Sequence, residues 1–462
     1  MLQQSRDMGL APAPSLANVR WFSMLTLIGA IAFGLRWFYV AHAVVYQPIR
    51  GDAVQYHAYA WNLAHHWIFS QAQPHSHEVM PDSFRDPGYP LFLAVWLKLF
   101  PDFATWYPIV LMVQTALGAF TVILLVASAR FWLPAGWLFA AGLLMAVWPH
   151  SITITSFLLS ETLFGFFCAL GFYCLSRTFK QTGVGWAIGA GVAFSAAALT
   201  NAVMIPFASL LALALFWQRA VNRRLLLALM LASLVLPAAW SIRNVRLPSH
   251  DASSTGRALL NFVQGSWPEY HRAYRASIAG DPRAGRTLQA IQHEYDVLRA
   301  SPAVGFSLLE HRVDARPLHY LIWYLRKPFA LWGWSIQMGQ GDIYEYPTLR
   351  SPFDDMPSLR ALVSVCQAIN PLLMLMAFAG SIAVFRHYQS TVLLANSTAL
   401  LLLYVTLVYS LLQSEPRYSI PFRGFEILLA VYASRHVSNW LRATSQRHQA
   451  SGQAVIDNGK RE

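Results

Sequence analysis

The chain leaves its first long apolar run, 21–46, at Gly51-Asp52-Ala53-Val54-Gln55-Tyr56. Apolar sequence resumes only at Phe84-Arg85-Asp86-Pro87-Gly88-Tyr89-Pro90. That opening run sets the fold class, because about 20 apolar helical residues suffice to cross a hydrocarbon core roughly 30 Å thick. The polar stretch after it places a carboxylate, Asp52, just outside the membrane. A guanidinium, Arg85, stands at the far end of the same loop. One group can deprotonate a nucleophile, and the other can hold a phosphate.

Composition agrees with a membrane protein. The 462 residues are 56% hydrophobic and 12% charged, with mean hydropathy +0.39. Globular domains carry about 25% charge. The net charge of +12 does not indicate nucleic acid. Its cations are scattered between apolar runs, as in cytoplasmic loops that face anionic lipid head groups. The cysteines, Cys168, Cys174 and Cys366, lie inside apolar runs and read as small core residues. The first run is too long for the apolar segment of a cleavable signal, so it is expected to be a retained span.

Apolar runs predict spans at 21–46, 104–127, 131–150, 152–176, 184–200, 202–217, 224–241, 359–385, 390–412 and 419–437. The short run 87–100 is expected to be re-entrant or tilted. This is an all-α polytopic protein of about 10–12 transmembrane helices, with amphipathic juxtamembrane helices on the outer face. Arg130, Arg177, Lys180, Arg219, Arg223, Arg224 and Arg386 mark one side, and Arg442, Arg447, Lys460 and Arg461 of the tail fall there too. The positive-inside tendency makes that side cytoplasmic. The expected organisation is a cytoplasmic N-terminus (1–20), a transmembrane module (21–241) with an outer loop at 47–86, a long outer loop (242–358), C-terminal helices (359–437) and a cytoplasmic tail (438–462). Within the long loop, Tyr320 to Trp334 is rich in Trp and Tyr and broken by Arg326-Lys327-Pro328, which suits a helix in the head-group plane.

The candidate residues gather on the outer face. Asp52 opens a stretch with helical spacing that includes Tyr56, and it reads as an N-terminal cap, a catalytic base or both. Arg85 precedes a Pro/Gly turn that would fix its aim, and its fork matches phosphate oxygens. Glu161 interrupts an apolar run, which is costly in a bilayer and marks a functional candidate. Arg36, inside the first span, either pairs with Glu161, faces a lipid phosphate or snorkels to the interface. Trp240-Ser241-Ile242-Arg243-Asn244 and Glu415-Pro416-Arg417-Tyr418 add donors and cations, as does Lys327. His75-Ser76-His77 could put both rings on one side of an extended segment for a divalent metal, but His57, His65, His66, His75 and His77 match no known metal-ligand spacing and read rather as solvated loop histidines, so no cofactor is indicated.

Five segments in this order resemble the GT-C superfamily of glycosyltransferases, in the branch of the protein O-mannosyltransferases and lipid A aminoarabinose transferases. They are Gly51-Asp52, Arg85-Asp86-Pro87-Gly88-Tyr89-Pro90-Leu91-Phe92, Ser160-Glu161, Trp240-Ser241-Ile242-Arg243-Asn244, and Arg417-Tyr418 before Pro421. The likeness covers most of 20–425. It implies a GT-C fold in a bacterial inner membrane, a polyprenyl-phosphate sugar donor and an active site facing the periplasm. Asp52 would then be the general base. Arg85, Arg243, Lys327 and Arg417 would bind the donor phosphate, with Tyr56, Tyr89, Glu161, Asn244 and Tyr418 in support. The acceptor would be a glycan, lipid or protein. Two departures stand out: Thr200-Asn201-Ala202 replaces the Thr-Arg-Pro of relatives, and Ala53 stands where mannosyltransferases often carry a second acid. A transporter or flippase of lipid-linked saccharides is the rival reading. It would place its polar groups nearer the midplane, with repeat symmetry.

Overall fold

The computed structural model describes residues 16–219, 221–247, 253–334, 346–386 and 393–459. Lys460 and Arg461 of the expected tail, and the start of the run 390–412, lie outside them. The chain is helical almost throughout. Among the described residues two short strands, β1 (Val44–Val45) and β2 (Thr348–Arg350), pair antiparallel and tie the end of the first span to the end of the long loop.

Among the described residues, six helices are long and apolar enough to cross a membrane: α1 (Leu16–His42), α4 (Phe103–Ala129), α7 (Glu161–Gln181), α10 (Arg223–Val245), α17 (Pro357–Arg386) and α18 (Leu393–Leu411). A seventh exists if α5 (Ala135–Val147) and the bent segment after it, α6 (Pro149–Thr153) plus a 3₁₀ turn at Ile154–Ser156, form one broken span. Other apolar runs give shorter helices: α3 (Gly88–Leu99), α8 (Val184–Thr200) and α9 (Phe207–Trp217). The last run lies in α20 (Arg423–Gly459), which buries the ion pair Arg423–Glu426 at 2.9 Å. Arg423 also donates to Gly333 O and to Asn370 Oδ1 of α17, so its charge is satisfied inside the bundle.

Three expectations are corrected. The run 152–176 is not one helix: the α5–α6 segment bends by 54° at Trp148-Pro149, and α7 begins only at Glu161. Pro149 has no N–H and forces Trp148 to be extended, which breaks the helix there. The break brings Glu161 to a helix start rather than a mid-span position. Conversely, Pro328 does not break its segment. α15 (Pro317–Leu331) runs through it, exposing Leu318, Leu321, Ile322, Leu325 and Phe329 and burying Tyr320, Lys327 and Leu331. Finally, α10 stays helical four residues past the expected end of its span at 241, to Val245. The run 87–100 becomes α3, whose 12 residues rise only about 18 Å.

The long loop is itself a helical layer: α11 (Ser254–Gly265), α12 (Tyr270–Ile278), α13 (Pro282–Ala300), α14 (Pro302–Asp314) and α15. Val263, Tyr270, Ile291, Tyr295 and Leu298 give it a small core of its own. The main core lies among the spanning helices. A second cluster, built from α2 (Asp52–His66), α3, the start of α4, residues 154–159, Tyr346 and Ile420, forms the floor on which the polar residues stand.

Candidate active site

Asp52 is the first residue of α2, which begins after Gly51. Gly51 has φ +56, a region costly for residues with a side chain, and a Cβ there would come 2.8 Å from the Tyr346 hydroxyl. The tight turn points the Asp52 carboxylate inward instead of onto the helix end, where it caps nothing. Its Oδ1 accepts from Arg85 Nη2 at 2.6 Å, and its Oδ2 accepts from Arg417 Nη2 at 2.8 Å. Its backbone N–H donates to the Tyr346 hydroxyl at 3.0 Å.

Arg417 sits in α19 (Pro416–Ser419), the turn between α18 and α20. It uses a second edge of its guanidinium, Nε, to donate to Glu161 Oε1 at 2.5 Å. Arg85 Nε donates to Gln55 Oε1 at 2.5 Å, one helical turn along α2 from Asp52. The result is a buried chain of alternating charge: Arg85, Asp52, Arg417, Glu161. Burial would raise the Asp52 carboxyl, but the two flanking guanidiniums outweigh it and hold it well below the usual carboxylate range. Burial would lower Arg417, yet Glu161 and Asp52 hold it firmly protonated. At rest Asp52 is therefore an ionised but weak base with both oxygens occupied.

The other predicted residues divide. Tyr56 lies in the cluster: Arg85 stands 5.1 Å from its ring and its hydroxyl donates to Ser160 Oγ at 3.4 Å. Tyr89 lies beneath, edge-on to Tyr56 and donating to Gln114 Oε1 at 2.8 Å. Tyr418 stacks on Tyr409 behind Arg417. Arg243 is engaged elsewhere. Its guanidinium donates to Asp82 O at 2.5 Å and Phe69 O at 3.4 Å, and to Asn244 Oδ1 at 3.0 Å, clamping the first outer loop. Lys327 donates to Gly265 O at 2.7 Å and Leu412 O at 2.5 Å, bolting α15 and α11 to the turn that leads to Arg417. Burial lowers the Lys327 ammonium to about 7. Arg36 has no carboxylate partner among the described residues and donates to Ala32 O and Ala146 O.

Two residues not anticipated complete the surroundings. Tyr346 comes from the long loop to cover Asp52, with Arg417 5.7 Å from its ring. Arg257 of α11 pairs with Asp86 Oδ2 at 2.8 Å, the same oxygen that accepts from the Ala202 N–H at 3.2 Å. A cation thus stands beside Asn201 although Asn201 is not one. Gln55 was readable, being i+3 from Asp52 on a helical face. Tyr346 and Arg257 carry no local signal. Among the described residues no three His, Cys, Asp or Glu side chains come close enough to hold a metal. His65 and His75 pack on Trp61 instead.

Neither a protein-family model nor a curated protein sequence matches the chain. Solved structures do. The crystal structure of the Archaeoglobus fulgidus oligosaccharyltransferase tethered with an acceptor peptide aligns over 93% of this chain and 51% of its own, at 11% identity with TM-score 0.53. The same enzyme in the apo form aligns over 95% and 53%, at 12% identity with TM-score 0.52. This chain thus spans about half the length of those proteins. ArnT from Cupriavidus metallidurans in the apo state aligns over 90% of this chain and 78% of its own at 15% identity, with a TM-score of 0.36 that is too low to carry an argument. At such identities the likeness speaks for architecture alone: an all-α, polytopic fold shared with the membrane part of that oligosaccharyltransferase.

Proposed function

We propose that the protein is a membrane glycosyltransferase that moves a sugar from a polyprenyl-phosphate donor to an acceptor hydroxyl at the outer face of a bacterial inner membrane. The observation that carries this reading is the Arg85–Asp52–Arg417–Glu161 chain, which sits at the end of the bundle opposite Arg130 and Lys180. A carboxylate clamped by two guanidiniums is a poor base in isolation and a switchable one beside an anion. The donor phosphate competes for Arg85 and Arg417, whose planar forks suit phosphate oxygens. As they turn to it, Asp52 loses the charges that depress it and regains basicity.

Asp52 then takes the proton of the acceptor hydroxyl while that oxygen attacks the anomeric carbon. The bond from the anomeric carbon to the phosphate oxygen breaks, and polyprenyl phosphate leaves with the bonding pair. Arg85 and Arg417 stabilise the charge that grows on it. Phosphate is a good leaving group, so no general acid is required. Single displacement inverts the anomeric centre. Arg243 and Lys327, which are already spent on backbone carbonyls, position the outer loops. Arg257 is the better third cation, since its partner Asp86 adjoins Arg85.

The test is to incubate purified protein with a polyprenyl-phosphate sugar and a mixed acceptor pool from the cell envelope. Release of free polyprenyl phosphate that is lost in Asp52→Asn supports the reading. Retention of anomeric configuration in the product would contradict the single displacement.

A further inference from the structure

Behind the ion-pair chain, on the far side of Glu161 from Asp52, the helices leave a cavity of about 50 Å³. It lies between α1, α4, α7 and α20. A water takes about 30 Å³ in the liquid, so one or two waters fit and a larger ligand does not. Three residues of the wall each carry a buried polar atom with no hydrogen-bond partner among the described residues: Arg36 Nε, Glu161 Oε2 and Thr162 Oγ1. These residues are 1%, 7% and 6% exposed. Buried polar atoms left unpaired are expensive and rare. Glu161 belongs to both regions: its Oε1 is on Arg417, and its side chain lines the cavity.

The three atoms match a water. Arg36 Nε–H can only donate, ionised Glu161 Oε2 can only accept, and the Thr162 hydroxyl does either. A water accepts from Arg36, donates to Glu161 and exchanges with Thr162, and three polar partners are what a buried water usually has. The bridge also answers a charge imbalance. Arg36 Nη1 donates to Ala32 O at 2.9 Å and Ala146 O at 3.2 Å, both uncharged, and an uncompensated buried charge is costly. Glu161 is the acid in the same cavity wall. Gly118 leaves room for the guanidinium there, since a Cβ on it would come 2.9 Å from Arg36 Nε.

The charges of Arg85, Asp52, Arg417 and Glu161 cancel. Arg36 therefore leaves the extended chain with one net positive charge, which favours an anion. Without it, Glu161 could turn both oxygens to Arg417, the bidentate arrangement that grips a guanidinium most firmly. A water held by Arg36 keeps Oε2 occupied and draws on its charge. Arg417 then rests on Oε1 alone and is freer to turn toward a phosphate.

We infer that Arg36 is a positioning residue for the donor phosphate, acting through a bridging water in this cavity on Glu161 and through Glu161 on Arg417. The inference rests on the proposed donor reading. Arg36 touches neither the phosphate nor the sugar, and Thr162 anchors the water.

The test measures the affinity of the full chain, in lipid nanodiscs, for bare decaprenyl phosphate. Arg36→Gln should weaken it about tenfold, the order of one charge-assisted hydrogen bond. In a Glu161→Gln background the same change should alter affinity by less than about twofold, because the residue it acts through is gone. Thr162→Val keeps the shape of the side chain and loses the hydroxyl, and should weaken binding about threefold. Thr162→Ser keeps the hydroxyl and should bind as wild type does. A residue that only fills space would give the reverse order for these two variants. If Arg36→Gln fails to fold, the Thr162 pair decides. Wild-type affinity in Arg36→Gln or in Thr162→Val overturns the bridge and leaves the donor reading standing. So does an Arg36→Gln loss that persists undiminished in the Glu161→Gln background. Absence of binding by wild-type protein overturns the donor reading itself, and this inference with it.

Discussion

Arg417→Lys keeps the charge at the centre of the site and removes only its shape. In the native site Nε reaches Glu161 Oε1 at 2.5 Å while Nη2 reaches Asp52 Oδ2 at 2.8 Å. Two edges of one rigid plane thus serve two carboxylates. A lysine ammonium is a single point on a flexible stem and cannot occupy both positions. One charge-assisted hydrogen bond is lost, worth about 1.5–3 kcal/mol in such a buried setting. If Arg417 also turns to the leaving phosphate, that loss appears as roughly a 10- to 150-fold drop in transfer. Stability should fall by a similar amount, and by less than in Arg417→Met. There both carboxylates lose a partner, and breaking a buried pair costs about 3–5 kcal/mol. Sugar release from a polyprenyl-phosphate donor gives the first quantity, and denaturant or thermal unfolding in detergent gives the second. Arg417→Lys with wild-type turnover and stability would show that the bridge between Asp52 and Glu161 does nothing for the reaction, and the switching scheme would fail.

Other perturbations separate the residues by role. Asp52 has its folded pKa depressed by Arg85 and Arg417, so its contribution to stability is complete above the ordinary carboxylate range and is lost as pH falls below about 4. Unfolding followed from pH 7 to pH 3 should show this loss in wild type and less of it in Arg417→Met; equal acid sensitivity would refute the assignment. Gly51→Ala forces a side chain into φ +56 and against Tyr346, and should cost roughly 1–3 kcal/mol of unfolding free energy; a neutral result would mean that this turn is not constrained. Lys327→Met removes donors from Gly265 O and Leu412 O. It should lower the melting temperature while leaving affinity for bare decaprenyl phosphate unchanged, and weaker lipid-phosphate binding without loss of stability would return Lys327 to the list of phosphate ligands.

Much of the architecture was legible because apolar runs must bury or face lipid whatever their partners. The first run and those at 104–127, 224–241 and 359–385 became helices close to their expected limits. Asp52 and Arg85 were legible as a pair because one loop joins them, and they meet at 2.6 Å. The break before Glu161 was hidden, since Ile154 to Leu159 looks as apolar as any span and only Pro149 hints at the bend. Cations posed a different problem. Arg243 and Lys327 were expected at the phosphate, and in the structure both donate to backbone carbonyls, which a sequence does not reveal. Arg417 gained its central place from partners 256 and 365 residues away, and Tyr346 from one 294 residues away. Such contacts follow from packing, not from local spacing.

The central claim is that Asp52 takes the acceptor proton once the donor phosphate has drawn its two arginines away. Single-turnover release of polyprenyl phosphate from a bound polyprenyl-phosphate sugar, measured for wild type and Asp52→Asn at matched donor occupancy, tests it directly. The account predicts unchanged donor binding and a rate lowered by about 10²- to 10⁴-fold, the range typical of a lost general base. Asp52→Asn protein that binds donor and turns it over at the wild-type rate would contradict it.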